Sequence, residues 1–242
     1  DVGRFDCTTE VCVFKVTPQA QGAAMKSLVN IYTLIAERFE EQSVALKKLY
    51  YKYKARVIAI DGNGVGAGLV DAMTMTTLDP ETGDTYPDFG VMNDEEGRYK
   101  KYRTPETEMD ALYIIKANAP INTEAYAYAK AQMSSGKVKF LIDQQTAKAN
   151  LMSTKVGQNM EPDQRNDYLT PFTNTNILKE QMMNLVEENE GINIILKQSS
   201  HSIKKDKFSA FIYGLYFIKQ EEDRKKKRKS HNISDMMFFS QN

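Results

Sequence analysis

Residues 7–16 are rich in β-branched and aromatic side chains, and 25–34 alternate apolar with polar. The chain therefore opens as two antiparallel strands joined by a turn over 17–24. Phe39, Val44, Leu46, Leu49 and Tyr50 then fall near helical spacing, which predicts an amphipathic helix over 37–54. A short apolar run, Val57-Ile58-Ala59-Ile60, ends on Asp61. Glycines follow at 62, 64, 66 and 68, and an apolar pattern at helical spacing then continues to about residue 75. This predicts a buried strand, a tight turn and a helix, with Asp61 at the C-terminal edge of a sheet.

The pattern is lost over 78–108, where Asp79-Pro80, Gly83-Asp84, Pro87-Asp88 and Asn93-Asp94 are turn signals. This segment is expected to be an acidic surface insertion holding at most a small hairpin. A strand over 111–117 follows. A helix over 122–135 is closed by Gly136, and a strand over 137–143 ends on Asp143. A helix is expected over 144–157, then a loop containing Pro162 and Pro171. A further helix is expected over 176–190 with Ile177, Met182, Leu185 and Val186 on its apolar face, and a strand over 192–198. The last periodic stretch, 202–227, carries Phe208, Phe211, Ile212, Leu215 and Ile218 on one helical face. Residues 228–242 are expected to be a disordered basic and polar tail. Leading antiparallel strands followed by strand–helix alternation give an α/β fold, a mixed sheet with helices on both faces.

Composition adds little to this picture. The 242 residues are 41% hydrophobic and 26% charged, enough for one sizeable core, and 32 basic residues balance 32 acidic ones. Net charge therefore neither favours nor excludes a nucleic-acid partner. No run reaches the roughly 18 apolar residues of a membrane helix, and no signal peptide is visible. Cys7 and Cys12 lie at odd separation in one strand, so they read as free thiols of a reducing compartment. The opening Asp1-Val2-Gly3-Arg4-Phe5 starts as if in mid-strand, which suits either a trimmed chain or a domain cut from a longer protein.

The acids carry the candidate chemistry. Asp1 heads the first strand–turn, Asp61 and Asp143 end strands, and Asp206 opens the closing helix between Lys205 and Lys207. Hard divalent cations are held by a few carboxylates with water and substrate phosphate. Two such ions about 4 Å apart can clamp both oxygens of an in-line phosphoryl displacement. Asp61 stands out because its glycine-rich surroundings exceed what an ordinary turn requires. Asp143 is suited to capping the helix after it, and Asp71 lies within a helix.

On Asp1-Val2-Gly3-Arg4 with Thr8-Thr9, on the segment from Ile60 to Asp71, and on Lys205-Asp206-Lys207-Phe208-Ser209-Ala210 with Tyr213-Gly214-Leu215, the chain resembles the nuclease domain of the large terminase subunit of tailed bacteriophages. That resemblance spans nearly the whole chain and implies a ribonuclease H-like fold over 1–227, with 78–108 as an insertion. It implies that Asp1, Asp61 and Asp206 bind two Mg²⁺ or Mn²⁺ ions and cut concatemeric double-stranded viral DNA during packaging. His201, Asp143 and Asp71 are candidates for a supporting place around them. It further implies as partners a packaging ATPase domain, the small terminase subunit and the portal, at the procapsid in the host cytoplasm. No G-x-x-x-x-G-K-[ST] occurs in the chain, so the ATPase part is absent from it. The family's first strand also continues upstream of its Asp, which here is residue one; a free α-amino group is then expected beside the metals.

DNA affinity would come from Lys and Arg meeting phosphates. Lys204, Lys205 and Lys207 flank Asp206 and are the expected contacts. Lys47, Lys48, Lys52 and Lys54 read as a solvated helix face, and the run 224–229 suits DNA, a portal partner or a solubilising tail alike. Two other readings stand beside this one. Gly62-Asn63-Gly64-Val65-Gly66-Ala67 formally satisfies G-x-G-x-x-[GA], as in a nucleotide-binding α/β domain. A catalytically inactive module that only docks in the packaging complex is the other.

Overall fold

The computed structural model describes residues 1–3, 8–35, 38–105, 107 and 110–238, with the backbone alone for 228–238. Cys7 lies outside the described residues. Strands β1 (Thr9–Thr17) and β2 (Met25–Leu34) pair antiparallel, with a register shift at Val13/Phe14. Helix α1 (Phe39–Tyr53) leads to β3 (Ile58–Asp61), the glycine turn and α2 (Val65–Met73). Strand β4 (Thr77–Leu78) forms a small hairpin with β5 (Thr85–Tyr86), and β6 (Gly90–Val91) pairs parallel with β7 (Asp110–Ile115). Helix α3 (Ala119–Ser134), β8 (Val138–Lys139), α4 (Gln144–Met152) and α5 (Lys155–Gln158) follow. The chain continues through α6 (Pro162–Met183), the hairpin β9 (Leu185–Glu190) and β10 (Asn193–Gln198), and α7 (Asp206–Phe238). No helix among the described residues is long and apolar enough to cross a membrane.

The fold is α/β, and its sheet is divided. One three-stranded sheet has the order β1-β2-β8, and the other has β3-β7-β6 with all its pairs parallel. Helices cover both faces. Cys12 and Phe14 of β1, Leu28 and Ile31 of β2, and Ala59 and Tyr113 of the second sheet pack with Phe208, Phe211 and Leu215 of α7, Ala125 and Ala129 of α3, and Leu178 of α6. Alternate residues turn the other way: Val11, Leu34, Ile58, Ile60 and Leu112 pack with Leu46 and Tyr50 of α1 and Leu69, Val70 and Met73 of α2. This is the two-residue period of a strand buried on both sides. Helix α7 touches β1, β3, α3 and α6 and so bridges the two sheets.

Several segments differ from their sequence pattern. The helix expected over 176–190 begins fourteen residues earlier, at Pro162, and stops at Met183, so Leu185 and Val186 belong to a strand. Pro162 occupies the first turn, where a missing N–H costs nothing. Pro171 sits inside the helix, and the stripe it buries includes polar Asn174, Thr175 and Gln181, which hid its period. Asn174 Nδ2 donates to the Ile31 carbonyl at 2.9 Å. Helix α3 opens three residues before Asn122, capped by Asn118, whose side chain accepts from Ile121 N. Only Val138–Lys139 of the strand expected over 137–143 is paired, and the helix expected over 144–157 is broken between Met152 and Lys155. The segment 78–108 is not wholly superficial: Phe89 and Val91 are core residues, and β6 pairs with β7. Helix α7 continues to Phe238, so the expected tail is helical to that point, and residues 239–242 lie outside the described residues.

The expected lysine face of α1 is also corrected. Lys47 is fully buried, its Nζ donating to the Met75 carbonyl at 2.6 Å above the Phe89 ring. Lys48 pairs with Asp79 at 2.6 Å, and Lys52 donates to the Tyr32 hydroxyl at 3.2 Å. Burial lowers the Lys47 ammonium from 10.5 to about 8, against the opposing pull of Asp88. Between those values the unfolded chain holds a proton at Lys47 that the folded chain has released, so stability rises with pH across that window. The urea midpoint of unfolding should climb from pH 8 to 10.5, and Lys47→Met should flatten that climb. An equal slope in both proteins would contradict it.

Candidate acidic centre

Three short segments deliver the acids. Asp61 ends β3, where Gly62 N continues the ladder to the Ile115 carbonyl at 2.9 Å before the chain turns. One Asp61 oxygen, Oδ1, accepts from Asn63 N at 3.1 Å, and Asn63 Nδ2 donates to the Ala117 carbonyl at 2.6 Å. These bonds fix the carboxylate at the end of the parallel strands. The glycines behind it are filled by the protein itself. A Cβ on Gly66 would lie 1.7 Å from the Asp61 carbonyl oxygen, and one on Gly68 would lie 2.3 Å from the Phe39 ring. Helix α2 therefore crosses directly over the strand end because residue 66 has no side chain.

Asp1 lies beside β1. Glu10 N donates to the Asp1 carbonyl at 2.9 Å, and the Asp1 α-ammonium donates to the Glu10 carbonyl at 3.1 Å. Residues 1–3 are pinned further by α1. Gln42, fully buried, donates through Nε2 to the Gly3 carbonyl at 3.0 Å and accepts from Thr9 Oγ1 at 2.8 Å. Asp206 is half-buried in the first turn of α7.

The elements that carry these acids pack on one another, α7 against β1 and β3. Burial lowers the pKa of the Asp1 α-amine, and the carboxylates of Asp61, Glu10 and Asp206 oppose that shift, whereas burial pushes the nearby Cys12 thiol up to about 12 and keeps it neutral. Asp61 and Asp206, remote in sequence, are thus both within electrostatic reach of the same buried ammonium. Among the described residues no three His, Cys, Asp or Glu side chains are already gathered closely enough to share an ion. The donor set is nonetheless of the right chemistry: carboxylates carried on separate elements, the end of β3, the start of α7 and the segment beside β1.

The other expected residues divide. Lys204 and Lys205 are exposed beside Asp206. Lys207 is not available to DNA: it is 5% exposed, and its Nζ lies 2.6 Å from Glu10 Oε2 and 2.6 Å from Thr33 Oγ1. Its place four residues before Phe211 and eight before Leu215 puts it on the buried stripe of α7, which is the physical reason. Asp143 caps α4, accepting from Thr146 N at 2.9 Å, and the Thr146 hydroxyl, with this backbone bond second, holds its pKa down. Asp71 and His201 are exposed.

Residues the sequence pattern did not single out complete the surroundings. Glu10 shares the face of β1 that carries Cys12 and Phe14, and an acid on an apolar face was the available signal. Tyr213 stands two turns along α7 from Asp206, its hydroxyl donating to Asn122 Oδ1 at 3.0 Å. Burial, with Asp61 nearby, raises Tyr213 to about 12, so it stays a protonated donor. A cleft of about 280 Å³ opens beyond the glycine turn, lined by Gly62, Asn93, Arg98, Tyr113 and Lys116 among others. Compared with protein-family models, with curated proteins and with solved structures, the chain gives no match.

Proposed function

We propose that this chain is a metal-dependent DNA endonuclease domain with a ribonuclease H-like arrangement, of the kind that the large terminase subunit of tailed phages uses to cut concatemeric DNA during packaging. The observation that supports this reading is that α7, which opens on Asp206, packs against both β3, which ends on Asp61, and β1, to which Asp1 is bonded. Asp1, Asp61 and Asp206 would hold two Mg²⁺ or Mn²⁺ ions. Bound there, the ions would supply Lewis-acid stabilisation of the phosphodiester and lower the pKa of the attacking water. The chain's own contribution is positional. The turn at 62–66 fixes the Asp61 carboxylate, and Gln42 with Glu10 fixes residues 1–3. Lys204 and Lys205, exposed beside Asp206, offer ammonium groups to the DNA backbone without reading its sequence. The packaging ATPase, small subunit and portal as partners, and the procapsid as the place of action, belong to the same proposal.

The nucleotide-binding alternative is weakened by the packing of the glycine turn. Gly62, Gly66 and Gly68 face Ile114, the Asp61 carbonyl and the Phe39 ring, so the space their missing side chains leave is occupied by protein rather than open to a pyrophosphate. The test is incubation of supercoiled plasmid with the purified chain. Nicked and linear products are expected with Mn²⁺ and none with excess chelator. A folded protein that binds Mn²⁺ weakly and leaves the plasmid intact would instead favour the docking module.

A further inference from the structure

We propose that Lys207 is a positioning residue for Asp206, and that its ion pair with Glu10 sets the affinity of the acidic cluster for divalent cations. This rests on the nuclease reading. Asp206 and Lys207 are adjacent in the first turn of α7, but their side chains part: the first is half-buried and the second buried. Lys207 Nζ reaches Glu10 Oε2 and Thr33 Oγ1, each at 2.6 Å. The remaining bonds of the Glu10 carboxylate come from hydroxyls, Thr33 Oγ1 at 2.9 Å and Thr8 Oγ1 at 3.1 Å. Glu10 is also bonded through both its backbone groups to Asp1. One residue of β1 is therefore tied by its main chain to the first acid and by its side chain to the neighbour of the third.

Stability alone does not account for this pair. Buried ion pairs are often no more stabilising than apolar residues of the same volume. Helix α7 is in any case anchored by Phe208, Phe211 and Leu215, and Phe208 N donates to Gln181 Oε1 at 3.0 Å. What an apolar residue cannot supply is direction and charge. Lys207 holds the first turn of α7 against β1 and β2 by a directed contact, which fixes where Asp206 stands relative to Asp1. It also neutralises Glu10, which otherwise adds a further negative charge beside acids that already repel one another.

The experiment measures Mn²⁺ binding to the whole chain without DNA, from the electron paramagnetic resonance signal of free Mn²⁺, alongside the Mn²⁺ half-saturation of plasmid nicking. Lys207→Met is expected to weaken binding roughly 10–100-fold, as loss of a group that orients metal ligands does, and to shift half-saturation equally. Thr33→Val, which removes one of the two acceptors of Lys207, should weaken both by a smaller factor. Lys26→Met is the control. It breaks a different buried ion pair, Lys26 with Glu222 at 2.9 Å, and should lower the melting temperature while leaving Mn²⁺ affinity unchanged. Folded Lys207→Met with affinity within twofold of the parent overturns the proposal. Should that variant not fold, unchanged affinity in Thr33→Val overturns it. If the parent binds Mn²⁺ and nicks DNA while these variants match it, this inference alone falls. If the parent does neither, the nuclease reading falls and takes the inference with it.

Discussion

Replacing Asp61 with asparagine is expected to remove plasmid cleavage while leaving the protein folded. Asparagine keeps the size of the side chain and an oxygen able to accept from Asn63 N, so the turn after β3 retains its bond. What it loses is the charge. In the proposed mechanism that charge is one of three that hold the divalent ions, and losing a preorganised electrostatic contact of this kind costs on the order of 10²–10³-fold in rate. Stability should move little, within about 0.5 kcal/mol, because Asp61 is only half-buried and its bond from Asn63 N is kept. Asp143→Asn is the matching control: its carboxylate caps α4, a task asparagine performs nearly as well. Initial nicking rates at fixed Mn²⁺, with melting curves for each variant, decide the matter. An Asp61→Asn protein that nicks at the parental rate would remove Asp61 from the chemistry.

The second large effect is expected from a single methyl group. In Gly66→Ala the new Cβ would lie 1.7 Å from the carbonyl oxygen of Asp61 and 2.9 Å from its carbonyl carbon. Both are backbone atoms of the strand end, so no flexible side chain can swing aside. Helix α2 must lift off β3, which loosens the packing of Leu69, Val70 and Met73 against Ile60 and Leu112. Overpacking of this kind costs about 3 kcal/mol or more. Gly64→Ala makes the comparison sharp. Gly64 has φ +52 and ψ −114 and nothing within 4 Å of the added atom, so its penalty is backbone strain alone, about 1–3 kcal/mol. Urea denaturation should place Gly66→Ala below Gly64→Ala. Equal midpoints would mean that the helix does not cross the strand end as described.

The contrast between these glycines also shows what could be read in advance. A β-branched run broken by glycine specifies a strand and a turn by local chemistry alone, so β3 and α2 follow from the sequence, as does the alternation of β2. Helix α6 did not follow, because Asn174, Thr175 and Gln181 are buried and Pro171 lies inside it. Polar side chains on a buried face erase the period on which a helix is recognised. The division of the sheet into two is a matter of long-range pairing, which no local pattern encodes. The same holds at the acidic centre. Asp61 was recognisable from its neighbours, whereas the roles of Glu10 and Lys207 depend on a contact between residues 197 apart. A lysine beside an aspartate in a lysine-rich segment looks solvated until its helix is docked.

Helix α7 has one more consequence, for the order of events in the cell. On a ribosome Asp1 and Asp61 are made well before Asp206 and its helix. Since α7 bridges both sheets, the nascent chain holds an unfinished centre until that helix arrives. Contacts of such wide sequence separation also form slowly. Under the proposed reading, hydrolytic competence therefore waits on α7, whatever has folded before it. A partly made molecule tethered near nucleic acid would be harmless to it.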